Sequence, residues 1–151
     1  MALDSWQTHG LTALLGYSAF LTAALLAFTY LWVVFRLKRK DPDIFQNRTP
    51  ALETLDRVHS GALLLGWILL TLGLAQGLLL ASKNWETWAW GDPKTVAALA
   101  TWAVYAGALV ERFLLGGRRG RVALMSLVGF ACLLFTFVGV NYWLPGRHTF
   151  F

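Results

Sequence analysis

Four long apolar blocks dominate the pattern of this 151-residue chain, and polar connectors separate them. Each block holds about 20–25 residues, enough at about 1.5 Å per helical residue to cross a hydrocarbon core of about 30 Å. The pattern therefore predicts membrane-spanning helices at about 9–36, 57–82, 94–115 and 120–143. We expect an all-α integral membrane protein, in which residues 1–151 form a single four-transmembrane-helix bundle.

Composition and charge predict how the bundle lies in the membrane. With 57% hydrophobic and 14% charged residues, the chain is not an ordinary soluble domain. Ten of the thirteen Lys and Arg residues lie between helices one and two or between helices three and four, and the others are Lys83, Lys94 and Arg147. The positive-inside rule then places both termini outside. We expect a multi-pass protein of the inner (cytoplasmic) membrane with both termini on the periplasmic or extracellular side, whose basic loops contact anionic lipid rather than nucleic acid.

The connector at residues 83–93 carries the most distinctive chemistry. Indole rings favour the membrane interface, and this outer connector holds three of them close together. Together with the Gly-Asp-Pro turn that follows, they predict a flat aromatic platform, and such a platform suits a large planar ligand. Asp92 precedes Pro93 in the order favoured at a helix start, so its role is either a cap or a carboxylate beside the platform. The platform residues are Trp85, Trp88 and Trp90.

Two histidines at opposite ends of the sequence, His9 and His148, are predicted to reach the same outer surface. Neutral imidazole is the usual nitrogen ligand of haem iron, so the pair predicts a haem held beside the tryptophans. In that site, Arg147 and Lys94 would pair with the haem propionates. The alternative is that each histidine is a separate polar residue at the surface. The third histidine, His59, is either a polar residue at headgroup level or an inner haem or quinone ligand.

Other polar and small residues say less about the fold and the function. Gly73-x-x-x-Gly77 permits close helix packing, but this pattern is common in apolar sequence. Gln76 should face the bundle, because an amide exposed to lipid is unfavourable. Gly116-Gly117 indicates the end of helix three. The single cysteine, Cys132, excludes an internal disulfide.

The connector also carries a family resemblance. It reads W-E-T-W-A-W-G-D-P-K-T, which resembles the tryptophan-rich WWD signature W-G-x-Y-W-x-W-D-P-K-E of the cytochrome c assembly family, the CcsA-, ResC- and HemX-like haem-handling membrane proteins. Similarity extends to the helices before and after it, LDRVHSGALLLGWILLTLGLAQG and TWAVYAG. It also includes WQTHGLTALLGYSAF and FTFVGVNYWLPGRHTF, which carry the outer histidines. The resemblance covers nearly the whole chain and corresponds to the family's C-terminal core.

This resemblance implies a function for the outer surface. His9 and His148 would be paired axial ligands of a haem, of type b, on a platform formed by Trp85, Trp88, Trp90 and Asp92. The site would hold haem for attachment to, or exchange with, apocytochrome c or another membrane or periplasmic subunit. An oligomer or hetero-complex is compatible with that role.

Three departures from the family pattern restrict the expectation. Gly91 is inserted before Asp92, and Thr95 stands where Glu is usual. Val110 occupies the position of a further histidine in the full synthases, and valine cannot ligate iron. We therefore expect a haem chaperone or assembly subunit rather than a complete synthase.

Three other functions stay open at this point. A haem-bearing electron-transfer or anchor subunit of a respiratory complex would keep its haem permanently, whereas a chaperone would release it to an acceptor. A HemX-like regulator of tetrapyrrole synthesis would act through the basic inner loops. A purely structural four-helix subunit would use its tryptophans only as anchors, and the purified protein would be colourless.

Overall fold

Helices make up nearly all of the part of the chain that the computed structural model describes, which comprises residues 5–40, 51–84 and 93–139. The fold class predicted from the four apolar blocks is confirmed, whereas the outward orientation of the termini stays a prediction. The helices are α1 (Ser5–Lys38), α2 (Leu52–Asn84), α3 (Pro93–Phe113) and α4 (Arg119–Leu134), and α4 continues into a π-helical turn, Phe135–Gly139.

Three of these helices are long and apolar enough to cross a membrane, over Gln7–Lys38, Leu52–Leu80 and Thr95–Phe113. Both α1 and α2 are longer than their apolar blocks, because the helical hydrogen bonding continues through polar turns. α4 has 16 residues before the π-helical turn. Large aliphatic and aromatic side chains are exposed along the helices, as is expected of surfaces that contact lipid tails. Examples are Leu14, Leu25, Phe28, Leu65, Leu79, Leu124 and Phe135.

The turn between α3 and α4 follows the predicted glycine stop. Gly116 adopts the left-handed conformation, with φ of 60°, which a residue with a side chain rarely adopts. The backbone N–H of Gly117 donates to the carbonyl oxygen of Glu111 at 2.8 Å, a bond that closes the end of the helix.

Contacts between α1 and α2 show that these helices are antiparallel. A Cβ added to Gly77 would meet His9, one added to Gly66 would meet Phe20, and one added to Gly16 would meet Leu69. The contacts therefore move toward the start of α2 as they move along α1.

The remaining helices alternate in the same way. Trp102 of α3 contacts Thr71 of α2, and the later Arg112 contacts the earlier Ser60. Between α3 and α4, Thr101 lies beside Thr136, and Glu111 lies beside Arg121. The four helices thus run up, down, up and down. One end, which we call the His9 end, holds the start of α1, the end of α2, the start of α3 and Gly139. The opposite end, which we call the basic end, holds Arg36, Lys38, Arg112, Arg119 and Arg121.

An aromatic pair joins all four helices at mid-bundle. The rings of Phe20 in α1 and Tyr105 in α3 stack with their centroids 3.9 Å apart and their planes 13° apart. Gly66 of α2 lies against the Phe20 ring, and Gly129 of α4 lies against the Tyr105 ring. Both rings are fully buried. Because a glycine abuts each ring, the aromatic pair occupies the centre without forcing the helices apart.

Candidate functional site

His9 is the predicted site residue that the described ranges include. Six further residues of the predicted haem site fall outside those ranges, so their meeting with His9 stays a prediction. They are Trp85, Trp88, Trp90, Asp92, Arg147 and His148.

The imidazole of His9 lies against the backbone of α2. Its Cε1 atom is 3.2 Å from the point that a Cβ on Gly77 would occupy, and its two nitrogens are each 3.8 Å from that point. The ring can approach this closely because Gly77 has no side chain. The Nδ1 atom of His9 is buried without a hydrogen-bond partner. His9 therefore has an imidazole held by packing, with a nitrogen that no described group engages.

The ends of the described segments define what surrounds His9. Arg36 follows His9 by 27 positions in α1, which correspond to roughly 40 Å of helix. His9 and the basic end therefore lie at opposite surfaces of the bundle. The predicted tryptophan connector leaves from Asn84 and returns at Pro93, both at the His9 end. The chain also reaches this end at Gly139, nine residues before His148.

The number of side chains able to bind a metal further defines the site. Among the described residues, no group of three or more His, Cys, Asp or Glu side chains is arranged to hold a metal ion. Haem iron differs from a free metal ion, because the macrocycle supplies four ligands and the protein adds only axial ones. The imidazole of His9 has the chemistry of one axial ligand. A second axial ligand would have to come from outside the part of the bundle around His9 that the structure describes, or from a partner.

A buried ion cluster at the basic end was not predicted from the sequence. The carboxylate of Asp56 in α2 is 4% exposed, and Arg112 Nη2 of α3 donates to its Oδ2 at 2.5 Å. Arg119 Nε of α4 lies 3.3 Å from the same oxygen. Arg112 Nε also donates to Ser60 Oγ at 2.9 Å. This cluster joins three helices, and its only sequence signal was an acid at the inner start of helix two, opposite basic connectors.

His59 lies one turn from this cluster. It is 2% exposed, and its Nε2 atom is buried without a hydrogen-bond partner. The side chain is therefore enclosed within the bundle at the basic end, and both a polar role at headgroup level and a role as a ligand stay hypotheses. Val110, the position at which the resemblance implied a further histidine in the full synthases, is 43% exposed.

A tryptophan pair connects α2 and α3 between the two ends. The rings of Trp67 and Trp102 lie 5.3 Å apart and are tilted by 32°. Trp102 Nε1 donates to Thr71 Oγ1 at 2.9 Å, and that hydroxyl donates to the carbonyl oxygen of Trp67 at 2.8 Å. These polar groups satisfy one another inside an apolar bundle, which makes the α2–α3 contact specific.

The fold and the His9 end together define a class of protein: a multi-pass helical membrane protein with an imidazole at the end opposite its basic surface. The chain matches the Cytochrome C assembly protein family over residues 6–148. This match covers nearly all of the sequence, and the chain therefore belongs to the Cytochrome C assembly protein family. The resemblance inferred from the tryptophan signature is confirmed.

Curated relatives agree with the family match. A cytochrome c biogenesis protein CcsA of Prochlorococcus marinus (strain MIT 9215) is 38% identical over 98 residues, which cover 65% of this chain and 32% of that protein. The CcsA protein of strain MIT 9301 is 30% identical over 167 residues, covering 97% of this chain and 54% of that protein. The CcsA protein of Chlamydomonas reinhardtii is 30% identical over 149 residues, covering 97% and 41%. The chain thus spans between about a third and about half of the length of these relatives. No solved structure matches it.

Proposed function

We propose that this chain is a haem-holding membrane component of cytochrome c assembly. Haem is the cargo, held at the outer membrane surface for delivery to apocytochrome c or another membrane or periplasmic subunit. The observation that carries the proposal is that a family match over residues 6–148 coincides with an imidazole seated at the end of the bundle to which the tryptophan connector also belongs.

The topology supports a shared site. The up-down-up-down order brings the start of α1 and both ends of the tryptophan connector to the same surface as Gly139. The basic residues gather at the opposite surface, which the positive-inside rule assigns to the cytoplasm. In the proposal, the His9 end is therefore periplasmic. Haem held there would be accessible to a partner outside the membrane.

Each predicted residue has a separate part in this proposal. His9 and His148 would be the two axial ligands, one on each side of the haem. Arg147 would pair with a propionate, because a guanidinium makes strong charge-assisted hydrogen bonds to a carboxylate. The connector would cover the ring with an apolar surface that limits access of water. Its residues are Trp85, Trp88, Trp90 and Asp92.

The test is the absorption spectrum of the purified protein loaded with haemin. Wild type is expected to show low-spin, six-coordinate haem. His9→Ala and His148→Ala are each expected to lose that signature and to retain less haem, because each removes an axial ligand. His59→Ala is expected to keep the low-spin signature, since His59 lies near the basic end of α2, and loss of that signature would favour the inner-ligand hypothesis. If both outer variants keep the wild-type spectrum and haem content, the ligand assignment is wrong.

A second measurement separates a chaperone from an electron-transfer subunit. Apomyoglobin binds free haem tightly and reports its arrival by a change in absorbance. A chaperone is expected to transfer its haem to apomyoglobin, whereas a permanent redox cofactor would stay in place through cycles of reduction and oxidation. Retention under these conditions would contradict the delivery role and favour the electron-transfer alternative.

A further inference from the structure

The surface of α2 that faces His9 has two unusual features. Gly77 lies directly under the imidazole of His9. A Cβ added to Gly77 would be 3.2 Å from the Cε1 atom of that ring. The preceding residue, Gln76, has a side-chain Oε1 that is buried and has no hydrogen-bond partner. The Nδ1 of His9 is buried and unpartnered as well. A buried polar atom without a partner is unfavourable, and here two complementary ones occur at the same end of one helix pair.

Helical register explains why Gln76 belongs with His9. A Cβ on Gly16 of α1 would lie 3.4 Å from the Cβ of Leu69 on α2. Seven residues make about two turns of a helix and return to nearly the same face. His9 precedes Gly16 by seven residues, and Gln76 follows Leu69 by seven. Because the two helices are antiparallel, position 76 faces α1 at the level of His9.

We propose that α2 positions the His9 imidazole for haem: Gly77 leaves room for the ring, and the Gln76 amide oxygen would accept a hydrogen bond from the Nδ1–H group once haem is held, so that Nε2 would be the iron ligand. This inference rests on the proposed function, because it assigns supporting residues to one of its ligands. A ligating histidine usually donates its other ring N–H to an acceptor, which fixes both the tautomer and the ring orientation. Gln76 and Gly77 are thus positioning residues that act through His9.

The test compares rates of haem loss to apomyoglobin and the electron paramagnetic resonance spectrum of the low-spin iron. Gln76→Leu removes the acceptor and is expected to lose haem about 10-fold faster, the lower end of the effect of removing a hydrogen-bond partner of a metal ligand. Gln76→Glu keeps an acceptor of the same length and is expected to stay within about 3-fold of wild type.

Gly77→Ala supplies the steric half of the test. Its Cβ would press on the imidazole, so the ring must tilt, and the low-spin resonance is expected to shift. Gly73→Ala is the matched control, because a Cβ on Gly73 meets nothing within 4 Å. Helical circular dichroism and gel filtration establish that each variant is folded. If Gly77→Ala does not fold, the Gln76→Leu and Gln76→Glu pair still decides the question.

The His9→Ala background separates this inference from the function on which it rests. If Gln76 and Gly77 act through the imidazole, their substitutions have no further effect on haem loss once His9 is alanine. If His9→Ala abolishes the low-spin signal while Gln76→Leu and Gly77→Ala both behave like Gly73→Ala, the positioning role is wrong and the ligand assignment stands. If His9→Ala leaves the signal unchanged, the ligand assignment itself fails.

Discussion

Gly129→Ala tests whether the stacked aromatic pair sets the spacing of the bundle. The added Cβ would lie 2.8 Å from Tyr105 Cζ and 3.0 Å from both Cε atoms. Carbon atoms normally pack about 3.5–4.0 Å apart, so the ring must retreat by roughly 1 Å. That movement is opposed, because Tyr105 stacks on Phe20 and Phe20 itself lies against Gly66.

The expected change in the free energy of unfolding is the sum of two opposing contributions. Overfilling a close-packed interior costs about 1–3 kcal/mol, and replacing glycine with alanine in a helix returns about 0.5–1 kcal/mol. We expect Gly129→Ala to lower the free energy of unfolding by about 1–2 kcal/mol. Gly73→Ala is the control, since its Cβ has open space. That variant is expected to raise the free energy of unfolding by about 0.5–1 kcal/mol, because alanine favours the helix more than glycine does.

The assay is reversible unfolding in mixed micelles titrated with sodium dodecyl sulfate, followed by far-ultraviolet circular dichroism. The double variant Gly129→Ala/Tyr105→Leu should be less destabilised than the sum of the two single variants, because leucine removes the ring atoms that the new Cβ meets. Equal stability of Gly129→Ala and Gly73→Ala, or strict additivity in the double variant, would refute the reasoning.

Two further predictions concern the polar contacts. Arg112→Met is expected to lower the free energy of unfolding by about 2–3 kcal/mol, somewhat less than the loss of a fully buried partner, because a second arginine stays near Asp56. Arg57→Met, which removes an exposed ion pair, should change it by less than about 0.5 kcal/mol in the same micelle assay, and equal effects would contradict the burial argument. Trp102→Phe and Thr71→Val should each cost about 1–2 kcal/mol, because each leaves a polar partner without its bond. Their double variant should cost less than the sum, and additive values would show that the hydrogen bond contributes nothing.

The sequence contained enough information to predict the helical membrane class and the family. Spanning helices follow from the length and polarity of local segments, and the four blocks predicted them without knowledge of any contact. Family membership depended on the tryptophan connector and the flanking histidines, which are also local patterns. The site was predicted from the same residues. Of the two predicted outer ligands, His9 and His148, only His9 lies in the described part of the chain, so their meeting around one haem stays a prediction.

Long-range packing was less accessible from the sequence. Gly73-x-x-x-Gly77 drew attention as a packing motif, yet a Cβ on Gly73 would meet nothing, whereas Gly66 and Gly129 lie against the central rings. Every glycine lacks a side chain, so the sequence alone does not show which glycine permits close packing. The residue that faces it on the neighbouring helix decides that. The ion pairs of Asp56 were not predicted either, because its arginine partners lie 56 and 63 positions away in the sequence.

The sequence by itself thus determined the number of apolar blocks, the unequal distribution of positive charge and the family signature, since hydropathy and charge belong to each residue regardless of its neighbours. Only the tertiary structure decided that Gly77 underlies His9, that Phe20 stacks on Tyr105, and that Asp56 is enclosed by arginines. The physical reason is that these contacts depend on the register of one helix against another. Register is selected by close packing between side chains that are distant in the sequence.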